Sequence, residues 1–367
     1  MSGAEGRRAT PPPGGGRIPV AVLGATGAVG QSFVRLLHDH PWFDLVAVAA
    51  SERSAGRSYR DATRWLDGTM PDAIAGLEVQ PCDPAAVAGA LVFSALDASV
   101  AGEVEQAFAH DGRTVLSNAR NHRMDPDVPL VIAEVNASHL EVIDRQRARR
   151  GWNGAIVTNG NCAAIVVVMA LAPLHEAFGV ESLFVTTLQA VSGAGYPGVP
   201  SLDILGNVIP YIGGGEEEKI ETETRKMLGT VGGADGLLVD APVRISAQVN
   251  RVPVEHGHTA CLSAGFRQRV SPDEALEVYR AWRPMTSDLG LPSAPPAALV
   301  LTEADDRPQP RRDVGAGGGM TVTVGRVRRD PILDLRLVAC GHNLVRGAAG
   351  ASVLNAELLA ARGLVRR

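Results

Sequence analysis

Closely spaced cysteines are absent from this 367-residue chain: Cys82, Cys162, Cys261 and Cys340 lie far apart. Neither a zinc site built on cysteine pairs nor a small disulfide scaffold fits that spacing, and all four thiols are expected to be reduced. An excess of basic charge is absent as well. Lys and Arg number 35 against 40 Asp and Glu, a formal net charge of -5, which gives no electrostatic footprint for nucleic acid and favours a small-molecule partner. No long apolar run occurs. The stretch from Ile165 to Leu174 is about half of the ~20 residues that a spanning helix needs, so no membrane segment is expected. Residues 1–17, MSGAEGRRATPPPGGGR, lack an apolar stretch and are dense in Gly and Pro. They read as a disordered tail rather than a signal peptide, and the expected location is cytoplasmic. The remainder is ordinary globular composition, 45% hydrophobic and 20% charged, long enough for two domains.

Residues 18–37, IPVAVLGATGAVGQSFVRLL, read as a β-branched strand, a glycine-rich turn and a helix with apolar Val29, Phe33, Leu36 and Leu37. Gly24, Gly27 and Gly30 follow G-x-x-G-x-x-G rather than G-x-G-x-x-G, but the physical need is the same. Backbone must approach a pyrophosphate closely, and a helix N-terminus must face its charge. An ordinary tight turn would use the same glycines. The next strand, LVAVAAS (45–51), should end beside the adenosine ribose, where an NAD site normally places Asp or Glu. Here it runs into SERSAGRSY. Ser51, Arg53, Ser54 and Arg57 suit a 2'-phosphate, with Glu52 against it, so NADP is expected in preference to NAD. ALVFSALD (90–97) and TVLSNA (114–119) read as later parallel strands with helices between them. Such alternation implies an α/β, doubly wound parallel sheet of Rossmann type.

Further on, Asn161 and Cys162 precede AAIVVVMALAPLHEAFG, an apolar helix ended by Gly179. Near a helix N-terminus the peptide dipoles favour thiolate over thiol, which makes Cys162 a candidate nucleophile. A small buried apolar residue explains it equally well. SLFVTTLQAVSGAGYPG (182–198) reads as a strand, with a glycine-rich stretch too flexible for a core strand and Gln189 at its head. NRVPVEHGHTACLSAGF then places Arg251 and His258 seven residues apart. In an extended chain that odd spacing puts them on opposite faces, so a shared pocket requires a turn or bulge around Gly257. His256 competes with His258 for the role.

The ordered set GATGAVG, SERSAGRSY, NHRMDPDVPLVIAEVN, NGNCAAI, LQAVSGAGYPGVPSLDILGNVIPYIGGGEEEKIETET, NRVPVEHGHT and GHNLVRGAAGASVLNAELL resembles the aspartate-semialdehyde dehydrogenase family, especially its archaeal and fungal branch. That resemblance implies NADPH-dependent reduction of L-aspartyl 4-phosphate to L-aspartate 4-semialdehyde, with release of phosphate, in the pathways to threonine, methionine and lysine. It implies that Cys162, preceded by Asn161, attacks the acyl phosphate to form a thioester and that His258 is the general acid/base. Gln189 would place the substrate, Arg251 would grip its carboxylate and Glu216 would face its amino group. Arg123 and Lys219 would bind phosphate. Cofactor contacts would come from Gly24, Thr26, Gly27, Ala28 and Val29, from Ser51, Arg53, Ser54 and Arg57, and from Ser192, Gly193 and Asn343, with no metal. The second domain would be an α+β catalytic and dimerisation unit, and the protein a homodimer or homotetramer.

The expected division is a Rossmann domain over 18–158, a catalytic domain over 159–342 and a C-terminal helix, 343–367, that returns to the first domain. Around the nucleophile the family usually reads Pro-Asn-Cys followed by Ser or Thr. Here it reads Gly160-Asn161-Cys162-Ala163-Ala164, which removes hydroxyls that could cap the helix. Ala133 stands where Pro is usual, and Arg120 adds a guanidinium near the phosphate-binding strand. These departures bear on the acyl substrate, and the same branch contains malonyl-CoA reductases, so a reductase of another acyl phosphate or acyl-CoA is the alternative. A non-catalytic NADP-binding protein would be expected to have lost one of Cys162, Gln189, Arg251 or His258, and none is lost.

Overall fold

The computed structural model describes residues 15–66, 68–233 and 235–366. Most of the expected disordered tail, 1–14, lies outside the described residues. Its end is not loose: Arg17 donates from Nε and Nη2 to the carbonyl oxygen of Phe43 at 2.9 and 2.6 Å.

Six strands form the first sheet: β1 (Ile18–Leu23), β2 (Phe43–Ala50), β3 (Val79–Pro81), β4 (Leu91–Ser94), β5 (Thr114–Ser117) and β6 (Ala155–Thr158). Their order is β3-β2-β1-β4-β5-β6, and every pairing is parallel. The reversal of strand order beside β1 opens a crevice at the carboxyl ends, where the glycine-rich turn lies. Strands this buried read as apolar runs because helices cover both faces.

The second sheet is mixed. It gathers β7 (Val180–Gln189), β8 (Ile209–Pro210), β11 (Arg244–Arg251), β12 (His258–Phe266), β13 (Leu299–Thr302), β14 (Val322–Arg329) and β15 (Leu335–Gly341) in the order β13-β14-β15-β12-β7-β11-β8. A separate hairpin pairs β9 (Thr230–Gly232) with β10 (Leu237–Val239). Where an extended chain was expected over 182–198, the strand stops at Gln189 and residues 191–194 form a turn of 3-10 helix. The glycines that follow supply the loop geometry.

The helix Cys162–Phe178 forms the centre of the second core, packed with Val180, Leu262, Val322 and Leu337 from the sheet. After β15 the chain passes through one turn of π-helix, Val345–Ala349, into the helix Gly350–Ala361. Val353, Leu354 and Leu358 of that helix share a core with Val20, Phe33 and Phe93, so the C-terminal helix packs into the first domain's core.

In the glycine-rich turn the helix Ala28–Leu37 must lie directly against the strand end. A Cβ at Gly30 would sit 2.1 Å from the carbonyl oxygen of Gly24, and Gly24 itself has φ +69°. Gly30→Ala is expected to destabilise the fold by about 1–3 kcal/mol, the usual cost of overpacking, seen as a lower denaturant midpoint. An unchanged midpoint would mean that the turn can move away.

Candidate active site

The candidate nucleophile, Cys162, is placed by its predecessor. Asn161 has extended ψ (137°), and its Oδ1 accepts from the amides of Ala163 and Ala164 at 3.0 and 3.1 Å, closing the N-terminus of the helix that starts at Cys162. Asn161 therefore supplies the cap, and hydroxyls at 163 and 164 are not needed for it. A Cβ at residue 160 would lie 3.0 Å from Met227 Sδ, so the glycine there fits a tight space.

Cys162 Sγ lies 3.1 Å from His258 Nε2. His258 Nδ1 accepts from the Ala190 amide at 3.1 Å, and Arg251 Nη1 donates to the Ala190 carbonyl at 2.8 Å. The turn required near Gly257, which has φ +102°, is the connection between β11 and β12. Arg251 ends one strand and His258 begins the other, with β7 between them. His256 points elsewhere: its Nδ1 is 3.0 Å from Ser192 Oγ and its ring stacks on His342.

Glu216 opens the helix Glu216–Met227 and faces inward. Its Oε1 accepts from Asn161 Nδ2 at 2.8 Å and Gln189 Nε2 at 3.3 Å, and its Oε2 accepts from Lys219 Nζ at 3.3 Å. Asn161, Cys162, Gln189, Glu216, Lys219, Arg251 and His258 thus form one cluster. Arg123 joins it through an acid that sequence reasoning missed: Glu223 Oε1 accepts from Arg123 Nη1 at 2.9 Å and Oε2 from the Asn161 amide at 2.5 Å. The available signal was spacing, because residues 216, 219, 223 and 226 share one helix face. Arg120 is exposed, with Asp97 as a charged neighbour.

On the cofactor side, Gly27 is the N-cap residue of the helix Ala28–Leu37, and Thr26 gives its carbonyl oxygen to Gln31 Nε2 at 2.9 Å. Ser51 and Arg53 are exposed and Ser54 is half-buried in the loop after β2. Arg57 donates to the Asp61 carbonyl, and buried Tyr59 bonds the Ala25 carbonyl, fastening the loop to the glycine turn. Ser192 Oγ accepts from Asn343 Nδ2 at 2.9 Å. Beside it, a Cβ at Gly193 would lie 3.0 Å from Arg251 Nη1 and 3.2 Å from His258. A cavity of about 620 Å³ runs between Ala28 and Gln31 on one wall and Ser192 and His256 on the other. A helix N-terminus, a turn with glycines at 24 and 27 and guanidinium groups beyond β2 make a donor set that fits a dinucleotide.

Residues 19–143 match the family described as "Semialdehyde dehydrogenase, NAD binding domain", and residues 171–346 match "Semialdehyde dehydrogenase, dimerisation domain". The chain is 48% identical over 344 residues to the aspartate-semialdehyde dehydrogenase of Archaeoglobus fulgidus, covering 94% of this chain and 98% of that one. To that of Trichophyton rubrum it is 47% identical over 353 residues, covering 94% and 97%. The chain belongs to the aspartate-semialdehyde dehydrogenase family. Among solved structures, aspartate semialdehyde dehydrogenase with NADP from Candida albicans matches with a TM-score of 0.87 at 42% identity, covering 95% of this chain and 100% of that one. The enzyme from Vibrio cholerae complexed with ASA matches at 0.73 and 28%, covering 94% and 98%. Among the described residues no helix is long and apolar enough to cross a membrane.

For this family member the thiol's electrostatics differ from what the helix N-terminus alone suggests. Burial pushes Cys162 up to about 12, helped by the charge of Glu216 and opposed by Arg123 and Arg251. Burial likewise pushes His258 down to about 3, with Arg251 and His342 adding to it. Desolvation outweighs the dipole, so the resting pair is a thiol beside a neutral imidazole. Because Nδ1 accepts from Ala190, the neutral ring carries its proton on Nε2 and presents it to the sulfur. With the thiol raised and the imidazole lowered, the thiolate fraction of the free enzyme grows only as pH climbs toward the raised value. Alkylation of Cys162 by iodoacetamide, taken as the difference from Cys162→Ala, is expected to keep rising through the alkaline range. A plateau already reached by about pH 8 would show a thiolate formed beforehand.

Proposed function

We propose that this chain catalyses the NADPH-dependent reductive dephosphorylation of L-aspartyl 4-phosphate to L-aspartate 4-semialdehyde through a thioester on Cys162. The observation that carries this reading is the 3.1 Å approach of Cys162 Sγ to His258 Nε2 in a cluster that also holds Arg251, Gln189 and Glu216. The relatives are named for aspartate semialdehyde rather than for an acyl-CoA.

In this reading the Cys162 thiol adds to the acyl carbonyl, the carbon–oxygen bond to phosphate breaks and the sulfur's proton leaves with the phosphate as hydrogen phosphate, while Asn161 and Gln189 hold the acceptor geometry. Arg251 binds the substrate's α-carboxylate with its planar fork, and Glu216 binds the amino group. Lys219 and Arg123 neutralise the phosphoryl group. His258 donates from Nε2 to the carbonyl oxygen as it becomes tetrahedral, a role that its neutral, buried state supports. NADPH, when bound, supplies the hydride that reduces the thioester. Gly24, Thr26, Gly27, Ala28 and Val29 would hold its pyrophosphate. Ser51, Arg53, Ser54 and Arg57 would hold its 2'-phosphate, and Ser192, Gly193 and Asn343 its nicotinamide end. The chain acts in the cytoplasm as a homodimer or homotetramer, with domains over 18–158 and 159–342 and the segment 343–367 completing the first.

The test runs the reaction backwards. Purified protein given L-aspartate 4-semialdehyde and NADP is expected to reduce NADP only when inorganic phosphate is present to cleave the thioester, and Cys162→Ala is expected to abolish this with NADPH affinity nearly unchanged. Turnover indifferent to phosphate, or retained by Cys162→Ala, would reject the mechanism. Arg53→Ala should weaken NADPH binding by about tenfold, a charge-assisted contact, and NADH far less. Equal losses for the two cofactors in a fluorescence titration would remove Arg53 from the 2'-phosphate site.

A further inference from the structure

One buried acid has no part in the chemistry above. Glu223 stands two helical turns beyond Glu216 on the same face, is 2% exposed, and uses both carboxylate oxygens on groups of the site. Oε2 accepts from the amide of Asn161, the residue before the nucleophile, at 2.5 Å, and Oε1 accepts from Arg123 Nη1 at 2.9 Å. Arg123 Nη2 donates to the Asn118 carbonyl at 2.7 Å, so its guanidinium plane is fixed from two sides. One helical turn later Lys226 Nζ donates to the carbonyls of Arg123, Asp125 and Val128 at 2.5, 2.7 and 2.8 Å. Lys226 fastens the loop's backbone, and Glu223 fastens the side chain that the loop presents.

We propose that Glu223 is a positioning residue for the reaction: a single carboxylate sets both the entry to Cys162 and the orientation of Arg123. Phosphate binding and nucleophile placement are thereby coupled. The inference rests on the assignment of Arg123 to phosphate. Its physical basis is that Arg123 and the Asn161 amide are both donors and meet different oxygens of Glu223, so the arrangement needs an acceptor atom at each of the two positions. A carboxylate does this, and two charge-assisted bonds fix its geometry. Glutamine cannot. Its oxygen can satisfy one donor, and its amide NH2 then faces the other.

Glu223→Gln, Arg123→Ala and the double variant are to be assayed in NADP-linked oxidation of L-aspartate 4-semialdehyde with inorganic phosphate. For Glu223→Gln the KM for phosphate is expected to rise about tenfold, the worth of a lost charge-assisted bond, with the KM for NADP changed by less than about twofold. The double variant is expected to show the phosphate KM of Arg123→Ala alone, because Glu223 acts on phosphate through that arginine. Should Glu223→Gln fold poorly, Glu223→Asp, which keeps the charge but is too short to span both donors, is expected to raise the phosphate KM in the same way. An unchanged or lowered phosphate KM, with loss only of kcat or thermal stability, would make Glu223 a purely structural acid and overturn the inference. So would additive effects in the double variant. Wild-type protein without phosphate-dependent turnover would instead remove the assignment of the reaction, and this inference with it.

Discussion

From Ala163 to Leu174 the helix that begins at Cys162 offers no polar side chain, and all twelve of these residues are buried. A helix apolar on every side cannot lie on a surface, since each exposed methylene would forgo about 0.8 kcal/mol of transfer free energy. It must be enclosed by sheet and helices all round, which leaves only its ends free to meet a ligand. Its N-terminal end follows closely on β6 of the first sheet and meets the start of β12 in the second, where His258 lies. Cys162 is therefore held there by hydrophobic burial of the residues that follow it, and Asn161 satisfies the amides left unpaired at that end.

Such a location is dry, and dryness governs the charges around it. A buried ion is tolerated only when paired and hydrogen-bonded, and the site's acids are distributed accordingly. Glu216 answers Asn161, Gln189 and Lys219, whereas Glu223 answers Arg123 and the Asn161 amide. Behind them Arg346 meets Glu134 in a bidentate pair at 2.6 and 2.8 Å, both side chains buried. That pair holds the π-helical turn, Val345–Ala349, on which Gly347 packs against Cys162. Pairs of this kind contribute little net stability compared with apolar replacements. What they supply is a fixed geometry, because each charge has one arrangement in which all its partners are satisfied.

The readable parts of the sequence were the local ones. GATGAVG announced its strand, turn and helix because the need for Gly24 and Gly30 arises within a dozen residues. Gly179 announced a helix end, and the N-terminal position of Cys162 followed from the apolar run after it. The parts that could not be read depend on distant segments. The raised thiol value reflects what covers Cys162, and no residue near it in sequence carries that information. Glu223 and Lys226 sit in a run of charge that resembles a solvated helix face, and they are buried only because the loop carrying Arg123 folds over them. The odd spacing of Arg251 and His258 called for a turn near Gly257 but did not show where their strands lie: β7, far away in sequence, stands between them.

That intervening strand is what makes one cluster from three segments. β11 runs parallel to β7 and pairs Arg251 with Gln189, while β12 runs antiparallel to β7 and pairs Thr259 with Leu188. The last residues of two strands and the first of a third are thus brought to the same end of the sheet, each with the functional side chain directed to the face that the Cys162 helix covers. Side chains alternate across a strand, so a slip of one residue in either pairing would send Gln189, Arg251 or His258 through to the other face. The register of the seven-stranded sheet is consequently what assembles the candidate site, as well as a structural constraint. It is enforced at a distance by Leu183 and Val185, which share the face of Gln189 and are buried in the core built on the Cys162 helix.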